Sequence, residues 1–153
     1  MSNWASTERI SARVTLAESV LIHGDIHLQP RVGHHDGPET PLEMLNRPEP
    51  FFPVTLEGGQ IAFAAKAQVA MVSCDPGIAL TDAERASAAK TIRLDVTMAG
   101  GHQVAGWASL ELPPTRNRTL DYLNEPGPFF VLRTESATCY INRQYVRVVK
   151  PAD

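Results

Sequence analysis

The chain has 153 residues, a formal net charge of −3 and 43% hydrophobic residues. That apolar share is too high for a disordered chain, and the mixed charges hold no basic block of the kind that binds nucleic acid nonspecifically. No apolar run approaches the roughly 20 residues needed to span a bilayer, and Met1-Ser2-Asn3-Trp4 does not open a signal peptide, so no membrane association and a cytoplasmic location are expected.

Taken in order, residues 7–12 read as a short helix. The next segment alternates. Ile22, Gly24, Ile26 and Leu28 share one face of a strand, and His23, Asp25 and His27 share the other. A strand around Val14-Thr15-Leu16 precedes it, with a turn at Glu18-Ser19. The same pair recurs as Val96-Thr97-Met98 and Val104-Ala105-Gly106, with a turn at Gly100-Gly101. Gly24 and Gly106 lie in mid-strand, where a sheet bends or a backbone comes close. Thr81-Asp82-Ala83-Glu84 has the spacing of a capping box, and the helix formers up to Lys90 follow it.

After a polar loop comes Leu42-Glu43-Met44-Leu45-Asn46-Arg47-Pro48-Glu49-Pro50-Phe51-Phe52. It returns as Leu120-Asp121-Tyr122-Leu123-Asn124-Glu125-Pro126-Gly127-Pro128-Phe129-Phe130, identical at seven of eleven positions. Average residue usage gives roughly one chance identity in fifteen positions, so this is an internal repeat. The leucines three apart fit one helical turn, the asparagine and prolines end it, and Phe-Phe opens a strand that goes into the core. The repeated polar side chains Glu43, Asn46, Asp121 and Asn124 read first as partners of loop backbone amides, with a ligand-binding loop as the alternative. Two closing strands follow in each half, at residues 60–64 and 68–72, then 138–142 and 145–149. Asp75-Pro76-Gly77 breaks the chain between halves. The expected fold is mainly β: two tandem small five-stranded barrels, residues 1–75 and 76–153, each preceded by a short helix.

This order of motifs resembles the Sm-like fold, and an SH3-like small barrel shares much of it. Asp121-Tyr122-Leu123-Asn124 stands where that family has an Asp…Asn loop, and Tyr140-Ile141-Asn142-Arg143 where it has a closing basic motif. The resemblance implies a small curved barrel and an RNA- or ligand-binding loop made by Asp121, Tyr122, Asn124, Asn142 and Arg143, with Tyr122 stacking on a base. The chain departs from the family in three places. Its aspartate and asparagine are one residue closer, Gln144 replaces the glycine after the arginine, and the first half has Glu43 and Ala64-Ala65-Lys66 at these positions. The departures bear on the RNA pocket more than on the fold.

Elsewhere the chemistry is sparse. His23, Asp25, His27, His34 and His35 concentrate metal-ligand types, but strand spacing puts His23 roughly 13 Å from His27, so they read as a solvated polar face. Arg116, Arg118 and Arg143 read mainly as surface charge, with phosphate binding as the alternative. Trp107 points away from its own core and suggests a contact with the other half or another subunit. Cys74 and Cys139 read as reduced thiols. No phosphate-binding glycine loop, nucleophile elbow or zinc-protease helix is present, and no cofactor is expected. The sequence therefore points to a non-catalytic binding or assembly module that forms a homo-oligomer. The alternatives are an Sm-like RNA-binding protein and a metal-binding protein or metal-dependent hydrolase using the His-rich first half.

Overall fold

Burial with a period of two governs the N-terminal segment. The computed structural model describes residues 7–30, 39–76, 90–110 and 119–151. In strand β1 (Glu8–Leu16), Ile10, Ala12 and Val14 turn inward while Arg9 and Ser11 stay exposed. The helix expected over residues 7–12 is therefore a strand. Local helix propensity loses to pairing on both edges of β1: with β2 (Leu21–Leu28), from Glu8 opposite Leu28 to Thr15 opposite Leu21, and with β5 (Val69–Cys74). An Arg9–Asp25 ion pair at 2.8 Å lies across the β1–β2 ladder. The second expected helix, at residues 81–89, lies outside the described residues, and Lys90 already belongs to β6 (Lys90–Met98).

The remaining elements are helix α1 (Pro41–Asn46), β3 (Phe51–Leu56), β4 (Ile61–Ala65), β7 (Gln103–Leu110), helix α2 (Thr119–Leu123), β8 (Phe129–Arg133), β9 (Thr138–Asn142) and β10 (Val146–Pro151). All ten strands form one antiparallel sheet, in the order β10-β6-β7-β8-β9-β5-β1-β2-β3-β4. The sheet is open, so two separately closed barrels are not what the pairing produces. The physical reason is at the centre. β5 and β9, each an edge within its own half, pair with one another from Met71 opposite Ile141 to Cys74 opposite Thr138. An edge strand carries a row of unpaired backbone groups, and this join satisfies one row from each half.

The strand order inside each half is the same: β5-β1-β2-β3-β4 and β10-β6-β7-β8-β9. The hairpins β1–β2 and β6–β7 also share their register, Glu8 opposite Leu28 and Lys90 opposite Leu110. Their turns match as well. Glu18 and Ser19 take φ of 65° and 64°, the conformation that Gly100 and Gly101 adopt at 87° and 88°. Two central residues with positive φ suit the right-handed twist of the flanking strands.

Two apolar cores lie along the sheet, and each borrows from the other half. The first gathers Val14, Ile26, Leu28, Met44, Leu45, Phe52, Val54 and Val72, together with Phe129 and Tyr140. The second gathers Leu94, Val96, Met98, Tyr122, Phe130, Leu132 and Ile141, with Ala70 and Met71 packed against it. Fully burying a side chain of this size contributes about 1.5–3 kcal/mol, so the exchanged residues weld the halves. Among the described residues, no helix is long and apolar enough to cross a membrane.

The mid-strand glycines mark close approaches. A Cβ on Gly24 would lie 2.6 Å from the Thr55 carbonyl oxygen, and one on Gly106 would overlap the carbonyl oxygen of Arg133. Backbone cannot give way as a flexible side chain can. Gly106→Ala is expected to lower stability by about 1–3 kcal/mol, read from its urea unfolding midpoint. An unchanged midpoint would show that β7 and β8 are not packed this tightly.

Candidate functional site

The repeated signature builds a helix end over a closing turn, and each half sets a cation beneath it. In the first half, Thr40 caps α1. Its hydroxyl accepts from the Glu43 amide at 3.2 Å, and the Glu43 carboxylate accepts from the Thr40 amide at 2.8 Å. That is a capping box, with Pro41 at the first helical position where no amide is needed. At the other end the last carbonyls need partners. The 3-10 turn Lys66–Gln68 after β4 supplies them: the buried Lys66 ammonium donates to the carbonyls of Met44 (2.9 Å) and Arg47 (3.0 Å). A cation at a helix C-terminus also opposes the negative end of the helix dipole. Burial pulls the Lys66 pKa below the usual lysine value, and Arg47 adds to this.

The second half repeats the device with a different residue. Arg143 opens the 3-10 turn Arg143–Tyr145 after β9. It donates to the carbonyls of Leu123 (2.8 Å), Gly127 (2.6 Å), Phe129 (3.1 Å) and Tyr122 (3.2 Å). Its guanidinium lies over the Phe130 ring, 5.2 Å from the centroid. Desolvation lowers the Arg143 pKa from its ordinary value, against the pull of Tyr122 and Glu125. The backbone follows suit, since the Lys66 amide donates to the Pro50 carbonyl and the Arg143 amide to the Pro128 carbonyl, each at 2.8 Å.

The residues expected to form an RNA or ligand loop are thus brought close together, mostly facing inward. The Tyr122 ring is buried edge-on against Phe130, with centroids 5.9 Å apart, and its hydroxyl donates to the Val131 carbonyl at 2.5 Å. Burial pushes its pKa up. The ring faces that would stack on a base are covered. Asn142 is also buried. Its amide nitrogen donates to the Lys66 and Val69 carbonyls, at 3.3 and 2.9 Å, and its oxygen accepts from the Gln144 amide at 3.0 Å. Asp121 is half-buried in the first turn of α2, and Asn124 is exposed.

Asn46, the counterpart of Asn124, is expected from the sequence to end its helix and to bond backbone amides of its own loop. The structure gives it a partner beyond that loop. Its side-chain oxygen accepts from the Phe129 amide (2.9 Å), and its nitrogen donates to the Phe129 carbonyl (3.3 Å). One side chain thereby reads both backbone groups of a residue in the other half. The Asn…Pro-x-Pro-Phe-Phe spacing shared by both signatures contained this signal, because it places the same asparagine and the same first phenylalanine in each half.

Among the described residues the histidine group does not converge on one point. His23 is exposed, Asp25 faces Arg9, and His27 is buried. A wholly solvated face was expected here. His27 departs from it because its two ring nitrogens lie 2.7 Å from the hydroxyls of Thr7 and Thr55. With one nitrogen donating and the other accepting, those hydroxyls satisfy the ring inside the sheet. Among the described residues no three His, Cys, Asp or Glu side chains gather as metal ligands, while His34, His35, Arg116 and Arg118 lie outside those residues.

Trp107 is partly buried, with the Arg93 guanidinium 4.9 Å from its ring centroid. It lines an open cleft of about 450 Å³ with Thr91, Arg133 and Thr138. Arg133 is engaged there, donating to the Ser109 hydroxyl at 2.8 Å. Both cysteines are buried and outside any disulfide, and burial pushes the Cys139 thiol up to about 11, so it stays protonated and unreactive at neutral pH.

One phenylalanine breaks the expectation that both pairs are core. Phe52, Phe129 and Phe130 are buried, but Phe51 is 56% exposed. The cause is neighbourhood rather than sequence: Phe129 is covered by the first half's core, and nothing among the described residues plays that part for Phe51. The next strand shows the same contrast. The registers Phe51 opposite Ala65 and Phe129 opposite Asn142 make Phe63 the counterpart of Tyr140. Phe63 is 58% exposed, whereas Tyr140 is fully buried. Comparisons with family models, with curated proteins and with solved structures return no match for this chain.

If Lys66 and Arg143 serve the fold as these bonds indicate, removing either leaves helix-end carbonyls without partners. Lys66→Met and Arg143→Ala are each expected to cost about 2 kcal/mol in urea unfolding. Full stability in both variants would instead mark the cations as surface groups.

Proposed function

We propose that this protein is a non-catalytic, self-associating assembly module, built from two copies of one small barrel-like unit. The observation that carries this is the unequal fate of equivalent aromatics. Phe129 and Tyr140 are buried in a neighbouring half, while Phe51 and Phe63 stand exposed on adjacent strands at the end of the sheet. They share one face of β3–β4. Aromatic anchors exposed together on an edge hairpin are the usual core of a protein-binding surface. β4 itself, Ile61-Ala62-Phe63-Ala64-Ala65, carries no charge that would discourage another strand from pairing with it.

Other features favour assembly over the alternatives. Tyr122, Asn142 and Arg143, which an Sm-like RNA site would use, are committed to the helix end and to the join between halves. His27, which a metal site would use, is held by two threonines. Two buried thiols outside any disulfide fit a reducing, cytoplasmic setting.

Light scattering or sedimentation over a range of concentrations tests the proposal. The wild-type mass is expected to rise above the 16.7 kDa of one chain. The double variant Phe51→Lys/Phe63→Lys should stay at one chain with an unchanged melting temperature. A wild-type protein that remains a single chain at the highest concentration, or a double variant that assembles as well as wild type, would refute it.

A further inference from the structure

Resting on the assembly reading above, we infer that the β3–β4 strip docks onto the opposite end of a second copy of this chain, formed by α2 and β10, so that copies join head to tail. The template is the join already inside the molecule. There the first half contributes α1 and β5, and the second contributes β8 and β9. Asn46 clamps the Phe129 backbone, Phe129 and Tyr140 enter the first core, and Met71 packs against the second core. Each half therefore has two different docking faces, a helix-and-β5-type face and a β3–β4-type face. The internal join uses one of each and leaves one of each.

The leftover faces carry the matching residues, still exposed. On the second half, Leu120 is the counterpart of Leu42, which packs against the first core, and Leu120 is 60% exposed. Val148 is the counterpart of Met71 and is 50% exposed. Asn124, the counterpart of Asn46, is exposed as well. On the first half stand Phe51 and Phe63. Four of the six large exposed apolar side chains in the described residues thus belong to these two faces. β4 and β10 are the two terminal strands of the sheet.

The template also fixes the register. Met71 opposite Ile141 and Val72 opposite Tyr140 translate into Val148 opposite Ala64 and Val149 opposite Phe63 of the next copy. Asn124 then reaches the backbone of Phe51, as Asn46 reaches Phe129. Arg147 and Lys150 on β10 guard that edge against indiscriminate pairing, and the small residues Ala65 and Ala62 opposite them leave room for the long side chains. The external join is the weaker of the two, because Ala65 stands where Asn142 makes two bonds across the internal one. Faces of two different kinds give a heterologous contact, which builds a ring or a filament rather than stopping at a two-fold dimer.

Cross-linking separates this arrangement from other modes of assembly. Single variants Ala62→Cys and Lys150→Cys, opposite one another in this register and neither of them buried, are mixed and treated with a short bismaleimide, with the wild-type chain, whose own thiols are buried, as control. A covalent pair linking residue 62 of one chain to residue 150 of another is expected, with no 62–62 product from Ala62→Cys alone. Asn124→Ala should weaken association by about tenfold at unchanged melting temperature, the loss of roughly one good hydrogen-bond pair. Asn46→Ala should lower the melting temperature instead. A 62–62 product, or an assembled protein with no 62–150 link, overturns the head-to-tail arrangement while leaving self-association standing. A wild-type protein that never assembles removes both.

Discussion

Everything in this molecule hangs on the antiparallel pairing of β5 with β9. Each is a strand that its own half leaves with one open edge. Pairing them converts two rows of exposed amides and carbonyls into a ladder in the middle of the sheet. Side chains follow the backbone across the join. Phe129 and Tyr140 go one way, and Ala70 and Met71 the other. Asn46 and Asn142 then add directional bonds on each side of it, which a purely apolar contact lacks. Burial welds the halves, and the amide bonds fix how they meet.

A second constraint sits at the helix ends. A helix of one or two turns has carbonyls that its own length cannot satisfy, and here the chain turns away at prolines immediately afterwards. Both halves solve this by returning a cation from the turn that follows the fourth strand. Lys66 uses two of its donors and Arg143 four, in keeping with a compact ammonium on one side and a fork of five donors on the other. Because the position is kept while the residue differs, the role lies in the charge and the donors, not in one side-chain shape. The same logic explains why an arginine that looks like a phosphate ligand in the sequence is an internal strut in the structure.

Local signals were readable in the chain, and partnership was not. The leucine spacing, the prolines and the Phe-Phe pairs located both short helices and the strands after them. The Gly100-Gly101 turn and the alternation of residues 22–28 located the hairpins, and the mid-strand glycines marked true close approaches. What failed was whatever depended on a distant neighbour. Residues 7–12 look helical alone, but β2 and β5 hold them extended. Phe51 and Phe129 look alike, but only Phe129 has another half to enter. The pairing of β5 with β9 turned two expected closed units into one open sheet, and no local pattern announces which edges meet. Asn46 was legible as a helix stop and as a partner for backbone amides, because both are local preferences; that the amide belongs to Phe129 in the other half required the fold.

The central claim is that β4 and β10 are to neighbouring copies what β9 and β5 are to each other. Residue-resolved amide hydrogen exchange, compared between dilute and concentrated protein, tests it most directly. The account expects amides in β5 and β9 to be protected at both concentrations, and those on the outer edges of β4 and β10 to become protected only as the protein is concentrated. Edge amides that ignore concentration while the mass shows assembly, or β5 and β9 amides that exchange as fast as the edges, would contradict it.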